Sequence, residues 1–312
     1  MISLLTIESG IAQGLMWGIL TIGVYLTFRV LNIADLTVEG TFPLGAAVTA
    51  VLINKGMNNL LVLIIVFLCG ALAGFVTGFL HTKFKIPAIL SGILTQIALY
   101  SVNIRIMSDK ATVAISGDSL KKVVASIFPE GVKSNVLSIT VGVIACAVII
   151  IALYIFFGTE LGCSIRATGS NINMSRALGI NTNFMTVLCL MISNGIVAIS
   201  GSLISQFDYG SALVNMGQGT IVIGLASVII GEVLFIHKEK NFAFKMTAIT
   251  LGAIIYRTII ACVLTLPFMK ATDLKIITAI IVAAALAIPV WKDKVSFKRR
   301  VKAYIKEGNI DA

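Results

Sequence analysis

Apolar residues run along this chain in long unbroken blocks, not in the alternation of a half-buried strand or the narrow stripe of a surface helix. The blocks fall at about residues 9–28, 34–53, 60–80, 87–107, 136–158, 184–205, 217–236, 244–265 and 274–291. Each is close to the ~20 residues that a helix needs to cross ~30 Å of hydrocarbon. The predicted fold is therefore all-α, a polytopic transmembrane helix bundle of about eight to ten spans. Residues 1–291 form one transmembrane domain and residues 292–312 a basic tail. The polar breaks are short except for 108–135 and 159–183. The first block lacks a basic start and a small-residue cleavage site, so it is expected to serve as the targeting signal itself.

Within the blocks, small residues recur at helical spacing. Gly10, Gly14 and Gly18 mark one face of the first span, and Gly70, Gly74 and Gly78 one face of the third. Helices in lipid gain little from burying apolar surface against each other, so such faces let backbones approach closely, as static seams or as sliding ones. There is also an internal echo. Residues 38–46 run Val-Glu-Gly-Thr-Phe-Pro-Leu-Gly-Ala, and residues 217–226 run Gly-Gln-Gly-Thr-Ile-Val-Ile-Gly-Leu-Ala. Glycine-rich breaks at matching places in two halves are the pattern of transporters whose interrupted helices line a solute pathway. The echo predicts an internal repeat with broken helices and a pathway near Asp35, Glu39, Gly40, Thr41, Gly217, Gln218 and Gly219. Half-helix N-termini there are expected to favour a carboxylate group.

Composition excludes a water-facing coat: 58% of residues are hydrophobic and 12% charged, against about 25% charged in soluble domains. Mean hydropathy is +1.01. The net charge of +10 would raise nucleic acid as a partner for a soluble protein, but here it has a simpler cause. Fifteen of the 24 Lys and Arg residues sit on one side of the membrane, in the loops that follow odd-numbered spans and in the tail. Eight sit on the other side, and Arg257 lies within a span. The orientation rule makes the richer side cytoplasmic, with the C-terminus inside and, for nine spans, the N-terminus outside. No nucleic-acid-reading motif is present, and lipid is the implied surroundings.

Enzymatic chemistry finds no support. The histidines, His81 and His237, lie alone at membrane edges, and Ser200 and Ser202 have no histidine in any span to activate them. The five cysteines, with no CxxC pair, fit neither a disulfide framework nor a metal site. No GxxxxGK[ST] phosphate loop occurs, so the chain is not expected to hydrolyse ATP by itself or to hold a cofactor of its own. Charges inside spans are costly, about 2.5–3.5 kcal/mol at a helix centre, and are functional candidates. Asp35 and Glu39, four apart, share one face if the second span is helical at its start, near the cytoplasmic entrance. Glu232 ends the seventh span in a wet position. Arg257 is expected to face the bundle interior or to pair with a carboxylate. An ion-coupled carrier of a small polar solute, the alternative class, would be expected to hold a midplane carboxylate relay, and none is visible. Two loops carry amphipathic signals. Leu120, Val123, Val124, Ile127 and Phe128 form a stripe that rests on the membrane or seats an external partner, with Lys121 and Lys122 on its polar side. In 159–183, Ser170 or Asn171 can cap a short helix that Gly179 ends, showing Ile172, Ala177 and Leu178 beside Arg176.

This loop resembles a known one. The run Gly162-x3-Arg166-Ala167 … Ala177-Leu178-Gly179-Ile180-Asn181 is similar to the coupling loop of permeases in the branched-chain amino acid and ribose family of ABC importers. Residues 31–46 resemble that family's second-span motif, and Ala226-Ser227-Val228-Ile229-Ile230-Gly231 its seventh-span ending. Branched-chain members often carry a histidine where this chain has Glu39, and the wording looks closer to the branch grouped with tryptophan- or tyrosine-type binding proteins. The resemblance implies a permease in a bacterial inner membrane, importing a small solute, an amino acid. Its implied partners are a cytoplasmic ABC ATPase that uses the ATP, an extracytoplasmic solute-binding lipoprotein, and a second permease copy, as a homodimer or with a related chain. It also implies that Gly162, Arg166, Ala167, Arg176, Ala177, Leu178 and Gly179 form the ATPase-coupling loop.

Overall fold

The computed structural model describes residues 4–127, 134–236 and 241–265, with further helical positions at 276, 278–280, 282, 283 and 287. The tail 292–312, most of the ninth expected span, Phe128 and His237 lie outside the described residues. The apolar blocks fold as helices because lipid offers no partner for a free backbone amide or carbonyl. In chain order they are α1 (Leu4–Tyr25), α2 (Val38–Asn54), α3 (Asn59–Lys83) and α4 (Ala88–Ile106), then α6 (Ser134–Gly158), α9 (Thr182–Ile204), α10 (Thr220–Phe235) and α11 (Phe242–Leu264). Between α4 and α6 lie a short strand, β1 (Thr112–Ala114), and the helix α5 (Leu120–Ile127). Between α6 and α9 lie α7 (Glu160–Ser170) and α8 (Ile172–Ala177); a second strand, β2 (Ser211–Leu213), precedes α10. Seven of these helices, counted with their flanking turns, are long and apolar enough to span a bilayer among the described residues; α2, with 17 residues, is shorter.

The centre belongs to α1 and α9. Their most apolar stretches are 83% and 72% buried, against 28% for α4 and α6. Both glycine stripes are packing seams. Gly10, Gly14 and Gly18 bring α1 onto α11 at Thr258, Ile254 and Thr250, and Gly70, Gly74 and Gly78 bring α3 onto α9 at Asn194, Leu190 and Val187. Arg257 of α11 does face the interior: its guanidinium lies 3.7 Å from the centroid of the Trp17 ring, a cation–π contact, and Trp17 in turn packs on Phe42 of α2.

Two spans are interrupted, and later than expected. Helix α2 begins at Val38, not at 34, because residues 31–37 turn out of helical geometry, with Asn32 at φ 58°. Helix α10 begins at Thr220, after a 3-10 turn at Val214–Gly217. The loop 108–135 also holds an unexpected strand: Val113 of β1 pairs antiparallel with Ala212 of β2. The partner strand comes from the break between α9 and α10, so its pairing has no signal in the loop itself.

The bundle has two chemically different ends. At the basic end, Arg29 forms an ion pair with Glu232, and α7 and α8 lie beyond α6. At the opposite end, the Gln13 amide donates to Asp208 at 2.9 Å, and the β1–β2 ribbon and α5 close the surface. Helix α2 runs from the interior toward the ribbon end, and α10 from the interior toward the basic end. From Gly219 to Glu232, thirteen residues at ~1.5 Å each cover ~20 Å, which sets the start of α10 near mid-depth.

Candidate functional site

The two interrupted helices meet at their N-termini, and the contact depends on an unusual pair of residues. Pro43 lies inside α2 and lacks the amide that would bond to the Glu39 carbonyl. Gly217 occupies the space this leaves: a Cβ built on it would stand 2.0 Å from the Glu39 carbonyl oxygen and 2.7 Å from Pro43 Cδ. Two residues on, Gly219 takes φ +81°, a left-handed conformation that turns its N–H toward α2. That N–H donates to Glu39 Oε1 at 3.0 Å, and Gln96 Nε2 of α4 donates to Glu39 Oε2 at 3.0 Å. One carboxylate thus ties three helices together and sits where the positive ends of two of them converge. The anion-favouring pole expected from the echo exists, but the chain's own Glu39 fills it. Glu39 also lies deeper than an entrance residue.

The seven pathway candidates divide by face. Glu39, Gly40 and Gln218 line a cleft of about 300 Å3 between α2, α4 and residues 214–218. Gly217 and Gly219 frame it. Asp35 and Thr41 turn the other way, toward α9. Asp35 precedes the helix, so it does not share a helical face with Glu39. It is 2% exposed, its carboxylate accepting from the Thr37 N–H at 2.9 Å and from Asn194 Nδ2 at 2.7 Å. Thr41 Oγ1 donates to Asn194 Oδ1 at 2.8 Å, and the Thr37 and Thr77 hydroxyls meet at 2.7 Å. This cluster pins α2 to α3 and α9. A buried carboxylate is tolerated there because charge-assisted hydrogen bonds replace its water.

Several residues of the junction were not singled out from sequence: Gln96, Tyr100 and Asn103 of α4, Asn194 of α9, and Asn215. The first three share one helical face at i, i+4 and i+7. Polar side chains at that spacing inside an apolar run are the signal that would have found them.

At the basic end, the connection between α6 and α9 holds two helices where one was expected. Thr159 caps α7, accepting from the Gly162 N–H, and Gly162 lies so close to Phe157 that a Cβ would stand 2.3 Å from its Cα. Asn171 caps α8 by accepting from the Asn173 and Met174 N–H groups, and Gly179, at φ +80°, ends it. Three apolar side chains stand out from this short element: Ile172 is 43% exposed, Met174 62% and Leu178 67%. Ala177 and Arg176 are exposed beside them, Arg176 Nε donating to Thr182 at 3.0 Å. Arg166 is exposed too, but its guanidinium folds back to the Phe157 carbonyl at 3.1 Å. Ala167 is half-buried. Behind α8, Gly169 of α7 sits against the backbone of Val30, where a Cβ would lie 1.8 Å from the carbonyl oxygen. Val30 ends the π-helical turn that completes the first span, immediately before the 31–37 break.

Residues 6–292 match the family described as branched-chain amino acid transport system, permease component. A tyrosine transport system permease protein of Clostridioides difficile is 40% identical over 281 residues, 90% of each chain. An autoinducer 2 import system permease protein of Photorhabdus luminescens is 26% identical over 77% of this chain and 71% of its own. A fructose import permease protein of Bifidobacterium longum is 29% identical over 63% of this chain and 58% of its own. No solved structure matches the chain.

Proposed function

The chain belongs to the branched-chain amino acid transport permease family, and from that premise we propose that it is the membrane-spanning subunit of an ATP-binding-cassette importer for an amino acid. It is a multi-pass membrane protein and a transport permease. In this reading a solute-binding protein delivers the amino acid at the ribbon end, and a separate ATPase works at the basic, cytoplasmic end. Two permease copies face each other, each offering one coupling loop. The 40% identity to a tyrosine permease favours an aromatic amino acid over the sugar and autoinducer of the more distant relatives.

The observation that carries the reading is α8. A six-residue helix capped at both ends, with Ile172, Met174 and Leu178 exposed on it, has little local reason to persist. Exposed apolar side chains on a rigid, basic-flanked knob are what a partner's cleft takes up. Gly162, Arg166 and Ala167 serve from behind, fixing α7 to α6, while Arg176, Ala177, Leu178 and Gly179 meet the ATPase. The mid-membrane cleft at Glu39, Gly40 and Gln218, framed by Gly217 and Gly219, is the pathway. Asp35 and Thr41 hold its wall.

The test is Leu178→Asp in the assembled transporter in proteoliposomes. A charge at the centre of the knob cuts ATP-driven amino-acid uptake at least tenfold, with the variant still folded in the membrane. Uptake at the wild-type rate would count against the reading.

A further inference from the structure

The mid-membrane cleft has a chemical polarity that the sequence does not suggest. Its volume is at the lower end of the ~300–1,000 Å3 common for small-molecule sites. Pro43, Ile97 and Tyr100 give it an apolar wall, and Glu39 and Asn103 stand on the same lining. Asn103 is 1% exposed. Its Nδ2 donates to the Gly40 carbonyl at 3.1 Å, which fixes the amide, because turning it over would set oxygen against oxygen. Asn103 Oδ1 is then a buried acceptor with no hydrogen-bond partner. Buried polar atoms in native proteins nearly always have one, so an orphan on a cleft wall points to a donor brought by what enters. Glu39 asks for the same thing. Each of its oxygens takes one hydrogen bond, while an ionised carboxylate offers about four lone-pair positions.

We propose that Glu39 and Asn103 form the receiving pole for the ammonium group of an amino acid crossing the membrane, with Ile97 and Tyr100 taking its apolar side chain. The assignment rests on the reading of the chain as an amino-acid permease. An ammonium group is all donor and carries charge, which matches a lining of unfilled acceptors, and its bond to Glu39 is charge-assisted. A neutral sugar hydroxyl donates too, but without the charge. A carboxylate arriving first would meet Glu39, which already neutralises the two helix ends that would otherwise attract it. The cleft therefore selects for a cationic head.

Binding of labelled L-tyrosine, tyramine and 3-(4-hydroxyphenyl)propanoate to the purified full chain in lipid nanodiscs tests this. The wild type binds tyrosine and tyramine, and the acid lacking the amine binds at least tenfold more weakly. Glu39→Gln and Asn103→Leu each weaken tyrosine binding at least tenfold. If Glu39→Gln does not fold, Asn103→Leu decides. The proposal is overturned if the amine-free acid binds as well as tyrosine, if Asn103→Leu binds like wild type, or if the wild type binds none of the three. ATP-driven tyrosine uptake by the complete transporter separates the two claims. Selective binding without uptake refutes the importer reading and supports the pole; normal uptake with unselective binding refutes the pole alone.

Discussion

Pro43 and Gly217 meet because each lacks something: one an amide hydrogen, the other a side chain. That pair lets two broken helices touch at their ends, and Glu39 then closes the contact. Gly217→Ala forces a methyl into the Glu39 carbonyl, and we expect it to lower the unfolding free energy of the purified protein by about 1–3 kcal/mol, read as a drop in Tm. On the other face of α2, Asn194→Leu strips Asp35 of one of its charge-assisted bonds and leaves the Thr41 hydroxyl only the Thr37 carbonyl. Leaving a buried charge short of a partner costs about 3 kcal/mol, so this variant should melt earlier than Asn194→Gln, which keeps the donor. The importance of Asp35 and Glu39 was legible in the sequence, since charges in apolar runs are rare. Their division of labour was not. The partner that turns Asp35 toward α9 is 159 residues away, and the residue that calls Glu39 toward α4 is 57 away.

At the scale of the element, the chain between α6 and α9 acts as a lever in the proposed mechanism. Helix α8 stands out at the basic end, α7 lies behind it, and Gly169 bears on Val30 at the root of the 31–37 break. A push on α8 reaches, through one backbone contact, the segment that leads into the cleft. Gly169→Leu removes that seat. The expected result in proteoliposomes is ATP hydrolysis that continues while amino-acid uptake falls at least tenfold. Uptake and hydrolysis falling in step would instead mean that the complex had come apart. The caps of α8 could be read from Asn171 and Gly179, because capping is local chemistry. Helix α7 escaped notice because only one of its three buried residues, Gly162, Ile165 and Thr168, is a large apolar side chain, too few to make a periodic signal in 11 residues.

At the scale of the molecule, the two described breaks lie against each other and the helices that follow them run in opposite directions. Helix α2 leaves the junction for one face and α10 for the other, which is how inverted halves are built around a midplane site. The echo between residues 38–46 and 217–226 carried this arrangement in the sequence. The spans themselves were legible because hydrocarbon thickness dictates their length. The strand pairing of β1 with β2 was not, because three-residue strands that pair Val113 with Ala212, 99 positions away, leave no pattern. The sign of the membrane is the remaining global quantity. The proposed mechanism requires the end with Arg29, Arg166 and Arg176 to be cytoplasmic, where ATP is found, as the count of basic residues predicts.

Sidedness at α8 therefore tests the central claim most directly. In a Cys163→Ser background, Leu178→Cys is treated with a membrane-impermeant maleimide in intact cells and in inside-out vesicles. The account predicts labelling in inside-out vesicles alone, with protection when the ATPase is bound. Labelling in intact cells would put α8 outside and contradict it.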